Sequence, residues 1–397
     1  MSQPTILRRK TKDDDLPDEI ALEILARLPV KSLLRFRCVC KSWYSSIATP
    51  NFIYNNLLYC KCNDHNPGFF IHMPKTTCPM VSFRRPHSQI CTVASDRTFE
   101  TTSEFRIPFS FQSGYPHFVG SCNGILCITD FVTSKSKDVY LWNPSIRKFK
   151  RLPDTCLTQL RTVRLGFGYD SLNNDYKIVR ISRTCAKPML PLEVEVYSLS
   201  SNSWKRVGLG ISWRSNAVFH KFNCTLTFPF VSGNLHWMIE MIEGGGQERL
   251  FTSIILSFDV NSEKFKELPL PDDEGSCITK CLTSFKEKLA LIKFGYGVQP
   301  HSLLCSIWVM GDSWNKLRVL PIENLTDFIG FTNYGLLLVQ KRSRLVSTNS
   351  ELERKHKSVL IDPETLHEKE IQVDYRLDVA AYMENLALLD GANVVSY

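Results

Sequence analysis

Asn123-Gly124-Ile125-Leu126-Cys127-Ile128 is a turn followed by a short apolar strand, and the chain keeps returning to it. The same unit reads as Asn174-Asp175-Tyr176-Lys177-Ile178-Val179, Gly233-Asn234-Leu235-His236-Trp237-Met238, Glu287-Lys288-Leu289-Ala290-Leu291-Ile292, Tyr334-Gly335-Leu336-Leu337-Leu338-Val339 and Glu384-Asn385-Leu386-Ala387-Leu388-Leu389. Their first strand residues, 125, 176, 235, 289, 336 and 386, stand 51, 59, 54, 47 and 50 apart. A second unit interleaves: an apolar strand ending in an aromatic, a turn, then another aromatic. It reads Trp142 with Phe149, Tyr197 with Trp204, Phe258 with Phe265 and Trp308 with Trp314, and Ile361 with Leu366 is a degraded copy.

A period near fifty built of short strands and turns predicts a kelch-like β-propeller. The first unit gives one strand per blade and the second gives two. Apolar runs such as Asn223 to Val231 and Ser276 to Ser284 supply the fourth. Six turn-strand units but five aromatic pairs leave the last unit, Glu384 to Leu389, without partners. The N-terminal strands Phe69–His72 and Met80–Phe83 are expected to complete it, closing a six-bladed ring and removing exposed sheet edges. Trp142, Tyr197, Phe258 and Trp308 recur at blade spacing and are expected in the core between blades. Binding is expected where repeats differ: Thr184 to Leu192, Trp213 to Phe222, Glu240 to Arg249 and Ser343 to Lys357 on a propeller rim.

Ahead of the repeats, Asp13, Asp14 and Asp15 place negative charge at a helix start, and Pro17 suits a first turn. Ile20, Ile24, Leu25 and Leu28 share one helical face, which Pro29 ends. Two further short helices are expected over Ser32 to Arg37 and Ser42 to Ala48, the last closed by Pro50. Periodicity alone leaves two readings: a helical subdomain packed on the body, or a module that docks on a partner.

The order of the motifs separates them. Leu16-Pro17, Leu28-Pro29, Lys31-Ser32-Leu33-Leu34-Arg35-Phe36 and Cys38-Val39-Cys40-Lys41-Ser42-Trp43 resemble a plant F-box. Gly120 to Cys127, Leu141 to Ser145 with Lys148 to Pro153, and Gly166 to Asp170 with Asp175 to Val179 resemble the F-box-associated domain of the same family. The resemblance implies a tail over 1–12, disordered and basic, an F-box over 13–58 and a propeller over 59–397. It implies docking on a Skp-type adaptor, and through it on cullin and RING subunits, with a target protein held on the propeller for ubiquitination. The adaptor contacts it implies are Leu16, Pro17, Ile20, Leu25, Leu28, Pro29, Leu33, Leu34, Val39 and Trp43, some of which must instead hold the helices together. The alternative is a scaffold or inhibitor that binds its partner without degradation.

Composition bounds the rest. The 397 residues carry a net charge of +8, but the basic clusters alternate with acidic stretches and read as solvated loops, so no nucleic-acid partner is expected. No run has the length of a membrane helix, and Met1 to Lys12 is no secretory signal, so the expected location is cytoplasmic or nuclear. The 14 cysteines are then expected as thiols. Gly120-Ser121-Cys122-Asn123-Gly124 mimics a nucleophile elbow, yet a strand follows where the elbow needs a helix. Cys60, Cys62, His65 and His72 lack zinc-ligand spacing. No phosphate loop is present. The expectation is a chain with no catalytic residue, cofactor or metal.

Overall fold

The computed structural model describes residues 16–62, 68–74, 90–111, 116–130, 138–155, 160–184, 192–210, 217–222, 228–243, 250–271, 277–296, 303–342, 356–373, 377–387 and 394–397. Asp13 to Asp15, Met80 to Phe83 and most of the rim insertions lie outside them.

Four helices come first, one more than the sequence predicts: α1 (Asp18–Ala26), α2 (Val30–Phe36), α3 (Lys41–Ile47) and α4 (Pro50–Cys62). Pro50 does not close α3. It occupies the first turn of α4, where a missing N–H costs nothing. Thr49 Oγ1 accepts the Phe52 N–H at 3.3 Å and so caps that helix. From α4, the buried Asn56 donates to the carbonyls of Ala26 at 2.8 Å and Leu28 at 3.4 Å, satisfying the end of α1.

The remainder is mainly β. The strands are β1 (Phe69–Pro74), β2 (Ile90–Ser95), β3 (Thr101–Arg106), β4 (Pro116–Cys122), β5 (Ile125–Asp130), β6 (Val139–Asn143) and β7 (Lys148–Arg151). Next come β8 (Leu160–Asp170), β9 (Asp175–Thr184), β10 (Glu193–Ser198), β11 (Ser203–Val207), β12 (Ala217–Phe222), β13 (Phe230–Val231), β14 (Asn234–Glu243), β15 (Leu250–Asp259) and β16 (Lys264–Leu268). The last are β17 (Cys277–Phe285), β18 (Lys288–Tyr296), β19 (Leu303–Met310), β20 (Trp314–Pro321), β21 (Leu325–Phe331), β22 (Leu337–Arg342), β23 (His356–Ile361), β24 (Glu368–Ile371), β25 (Leu377–Tyr382) and β26 (Val395–Ser396).

They form six antiparallel sheets, the blades of a propeller. Blade 1 is β4 to β7 with β26 added outside. Blade 2 is β8 to β11, and blade 3 is β12 to β16. Blade 4 is β17 to β20, and blade 5 is β21 to β24. Blade 6 runs β25-β1-β2-β3 and joins the two ends of the domain.

The six-bladed closure by N-terminal strands therefore holds, but its partner differs. Strand β25 pairs with β1 from Phe69↔Tyr382 to Pro74↔Leu377. Glu384 to Ala387 form no strand; the Asn385 and Ala387 carbonyls are turned to the side chain of Asn143 instead. The inner strand of blade 3 is β12, inside a stretch read as insertion, and Glu240–Glu243 simply prolongs β14.

The aromatic pairs face each other across the ladder as Trp142↔Phe149, Tyr197↔Trp204 and Phe258↔Phe265. In blade 4 a bulge beside Trp308 shifts the register, so Trp314 meets Met310. Leu366 is not a strand residue: it sits exposed in the β23–β24 turn at φ 61°. Trp142, Tyr197 and Phe258 are fully buried, as core positions should be. Gly166 has a packing reason: a Cβ there would stand 2.6 Å from the Trp237 ring of blade 3.

Polar ties cross the blade junctions as well. Lys177 of blade 2 donates to the Val260 carbonyl at 3.0 Å, and pairs with Asp170 at 2.6 Å and Glu263 at 3.0 Å. Asp378 of blade 6 accepts the Phe118 N–H at 2.9 Å and meets His117 Nδ1 at 2.8 Å. Asp96 of blade 6 accepts the Asn333 N–H of blade 5 at 2.9 Å.

Candidate functional site

The order of strands within a blade gives the propeller two unlike faces. The turns joining first to second strand, and third to fourth, lie at one face. Outside blade 3, where β13 precedes the turn into β14, the described ones are short, and all the described non-glycine residues with positive φ except Asn324 sit at this face, from Phe99 and Asn123 to Leu366. The second strands end and the third strands begin at the opposite face, as at Pro74 and Ile90 of blade 6 and Arg342 and His356 of blade 5; the residues between them lie outside the described residues.

The helices sit on the tight-turn face. Helix α2 packs against the 3-10 turn Pro144–Ile146 between β6 and β7. Leu25, Ala26, Val30, Leu33, Ile47 and Phe52 share one core with Cys122, Ile125, Ile146, Tyr176 and Ile178 of blades 1 and 2. The helical segment is thus seated on the body along one side and open along the other.

That seating sorts the ten predicted docking residues. Leu25 and Leu33 are buried in the shared core. Leu28, Leu34 and Trp43 are half-buried against it, and Trp43 meets the Phe36 ring edge-on at 5.6 Å. Leu16, Pro17, Ile20, Pro29 and Val39 are exposed. Ile24 belongs with them and was missing from that set. Ile20 and Ile24 are 46% and 50% exposed, one i, i+4 step apart on α1; Leu16 just ahead of that helix is 54% exposed, and Val39 after α2 is 64% exposed. The i, i+4 step from Ile20 to Ile24 on one helical face is the signal that points to Ile24. Tyr44 is also exposed, with the Arg37 guanidinium 4.3 Å above its ring. An apolar strip left in water on a seated element is the mark of an interaction surface.

The positions weighed for chemistry are framework. Asn123 and Gly124, at φ 50° and 78°, make the turn of a hairpin that pairs Cys122 with Ile125, so Cys122 heads no helix. Cys60 lies on α4, and His72 is buried in β1 stacked on Phe99, its pKa lowered by burial to about 4. His65 and the Cys62 side chain lie outside the described residues. Among the described residues no cluster of His, Cys, Asp and Glu is arranged to hold a metal, and no helix is long and apolar enough to cross a membrane.

Comparison with known families agrees with this arrangement. Residues 14–55 match the F-box domain, and residues 43–387 match the F-box associated beta propeller domain. The chain belongs to the F-box proteins that carry this propeller. An Arabidopsis thaliana F-box/kelch-repeat protein is 29% identical over 365 residues, covering 86% of this chain and 90% of that one. A putative F-box protein from the same plant is 28% identical over 351 residues, covering 83% and 80%. Among solved structures, the Dos1 propeller aligns at TM-score 0.33 and 10% identity over 75% of this chain and 66% of that one, a likeness too slight to bear on function.

Proposed function

We propose that this F-box protein is the substrate-recognition subunit of a Skp-cullin-F-box ubiquitin ligase. Residues 13–58 serve as the docking unit and 59–397 as the target-holding propeller. The observation that carries the reading is the open apolar strip of Leu16, Ile20 and Ile24, with Val39 beside it, on an F-box whose other side is buried in its own propeller. A Skp-type adaptor covers that strip and brings in cullin and RING subunits. The target binds at the face of the propeller opposite the helices.

In this role the protein transfers no group itself. It supplies effective concentration and orientation: a target is held where a conjugating enzyme reaches its lysines. Its work is done in the cytoplasm or nucleus, where cullin ligases act.

Co-expression with a Skp-type adaptor, followed by size-exclusion chromatography with light scattering, tests the reading. A one-to-one complex is expected, lost on replacing Leu16 and Pro17 by Ala and equally on replacing Ile20 and Ile24 by Ser. The propeller should stay folded in both variants. A folded wild-type protein that ignores the adaptor would refute the assignment.

A further inference from the structure

The core shared by the helices and the propeller has a third contributor, the chain just after β25. Met383 to Ala387 run without regular structure across the tight-turn face. Leu386 is fully buried and Ala387 nearly so, in the same cluster as Leu25, Leu33, Ile47 and Phe52 of the helices and Ile125 of blade 1.

The backbone of this segment is held as firmly as its side chains. Asn143, fully buried at the end of β6, donates through Nδ2 to the carbonyls of Asn385 at 2.8 Å and Ala387 at 2.9 Å. Its Oδ1 accepts the Ser145 N–H at 3.1 Å, which fixes the amide. Gly124 lies directly beneath. A Cβ there would stand 2.5 Å from the Met383 carbonyl oxygen and 2.7 Å from Asn385 Cβ, and the φ of 78° already excludes most side chains. On the helical side is Cys60 of α4, its thiol pKa raised by burial and by the charge of Glu384.

Sequence separation makes this arrangement informative. Asn143 and the carbonyls it holds are 242 and 244 residues apart, so no local turn requires the contact. The segment could have left β25 for solvent. Instead it fills the wedge between helices and blade, with an apolar side chain inward and its carbonyls paired.

We propose that Met383 to Ala387 form a positioning joint that fixes the angle of the F-box helices on the propeller. The proposal builds on the ligase reading above, where that angle decides where a bound target stands relative to the adaptor. Covalently, the helices meet the propeller only through residues 63–67. The shared core, closed by Leu386, turns that tether into a set orientation.

The test is a distance measurement on the full chain, alone and with a Skp-type adaptor. Spin labels carried on non-natural amino acids at Asn55 on α4 and Arg318 on β20, both exposed, avoid the native thiols. Pulsed dipolar spectroscopy on the wild type should give one narrow distribution, unchanged by the adaptor. Leu386→Ala, which empties the wedge, and Gly124→Ala, which pushes the segment outward, should broaden or shift it. Two controls should stay narrow: Leu386→Met, which keeps the volume, and Leu291→Ala, which opens a cavity in the buried core of blade 4.

A broad wild-type distribution overturns the proposal. So do folded joint variants with the wild-type distribution, or a Leu291→Ala control that broadens equally. If both joint variants unfold while Leu291→Ala folds, the segment is a stability element and the proposal falls. Adaptor capture is scored separately: its failure in the wild type would sink the ligase reading and leave the distance result standing.

Discussion

Two blade junctions bury a carboxylate and treat it in opposite ways. At the junction of blades 2 and 3, Asp170 is fully buried with Lys177 at 2.6 Å, Asn173 Nδ2 at 2.8 Å and the Leu172 and Asn173 N–H groups at 3.1 Å. Burial alone would raise its pKa, but these hydrogen bonds outweigh it and hold the group below the usual carboxylate range. Glu263 behaves likewise, between Lys177 and Lys205. At the junction of blades 6 and 5, Asp96 is as deeply buried, but among the described residues its Oδ2 meets Asn333 and its Oδ1 has no hydrogen-bond partner. Burial wins there, and the pKa rises to about 6. A buried charge is thus stabilising or costly according to how many of its lone pairs are used, not how deep it lies.

Breaking the compensated junction should have the largest effect. Lys177→Met leaves Asp170 buried without its cation, while Glu263 keeps Lys205, and is expected to cost about 3–5 kcal/mol. Chemical denaturation at pH 7 measures it, and a loss within about 0.5 kcal/mol, the scale of an ordinary surface change, would show the network to be idle.

Next in size is the reverse experiment at the other junction. The folded-state pKa of Asp96 is raised, so the folded state binds the proton more tightly than the unfolded chain. Stability from this group is highest below about pH 4 and falls as pH rises through 6. Asp96→Asn should therefore match the wild type near pH 4 and exceed it at pH 8, by about 1–2 kcal/mol after relaxation. Thermal melts at the two values decide it, and equal gains at both would mean that titration is not the cause.

A finer contrast separates the two networks by pH. Asp170 and Glu263 have lowered pKa values, so their contribution is full above the unfolded carboxylate range and is lost as pH falls through their folded values. Lys177 has a raised pKa, because its bonds to Asp170 and Glu263 outweigh desolvation, so its share is lost only on the strongly alkaline side. The Lys177→Met penalty should thus be flat from pH 6 to 9 and shrink toward pH 3, whereas the Asp96→Asn gain grows across pH 4 to 7. Parallel pH curves for the two variants would contradict the contrast.

Smallest of all, Ile20→Ser and Ile24→Ser should change the stability of the free protein by less than about 0.5 kcal/mol each, since both side chains already stand in water. Denaturant midpoints check this.

The periodic parts of this fold were legible and the singular parts were not. Units spaced near fifty residues announced blades because each blade must bury the same faces. The closing strand was misplaced: Leu386 looks like another strand residue, and only the structure shows that Asn143 holds its neighbours' carbonyls. Helix α4 was missed because Pro50 was read as a stop, when Thr49 before it marks a start. For the proposed docking surface, the residue types and their order were visible in the sequence. The division between exposed Leu16, Ile20 and Val39 and buried Leu25 and Leu33 was not, because it is decided by blades 1 and 2, which begin at Pro116, far downstream of α1.

Closure by both chain ends also sets a timetable. A ribosome makes the F-box helices first, then the two blades that seat them, and the last piece of that seat much later: β1 has no inner neighbour until Leu377 to Tyr382 are made, and the wedge stays empty until Leu386 follows. A chain cut short before that point has the exposed apolar strip of α1 but no closed propeller behind it. Only a chain made past Leu386 carries the exposed strip of α1 on a closed propeller, so synthesis through the last blade is itself a condition for the assembled arrangement.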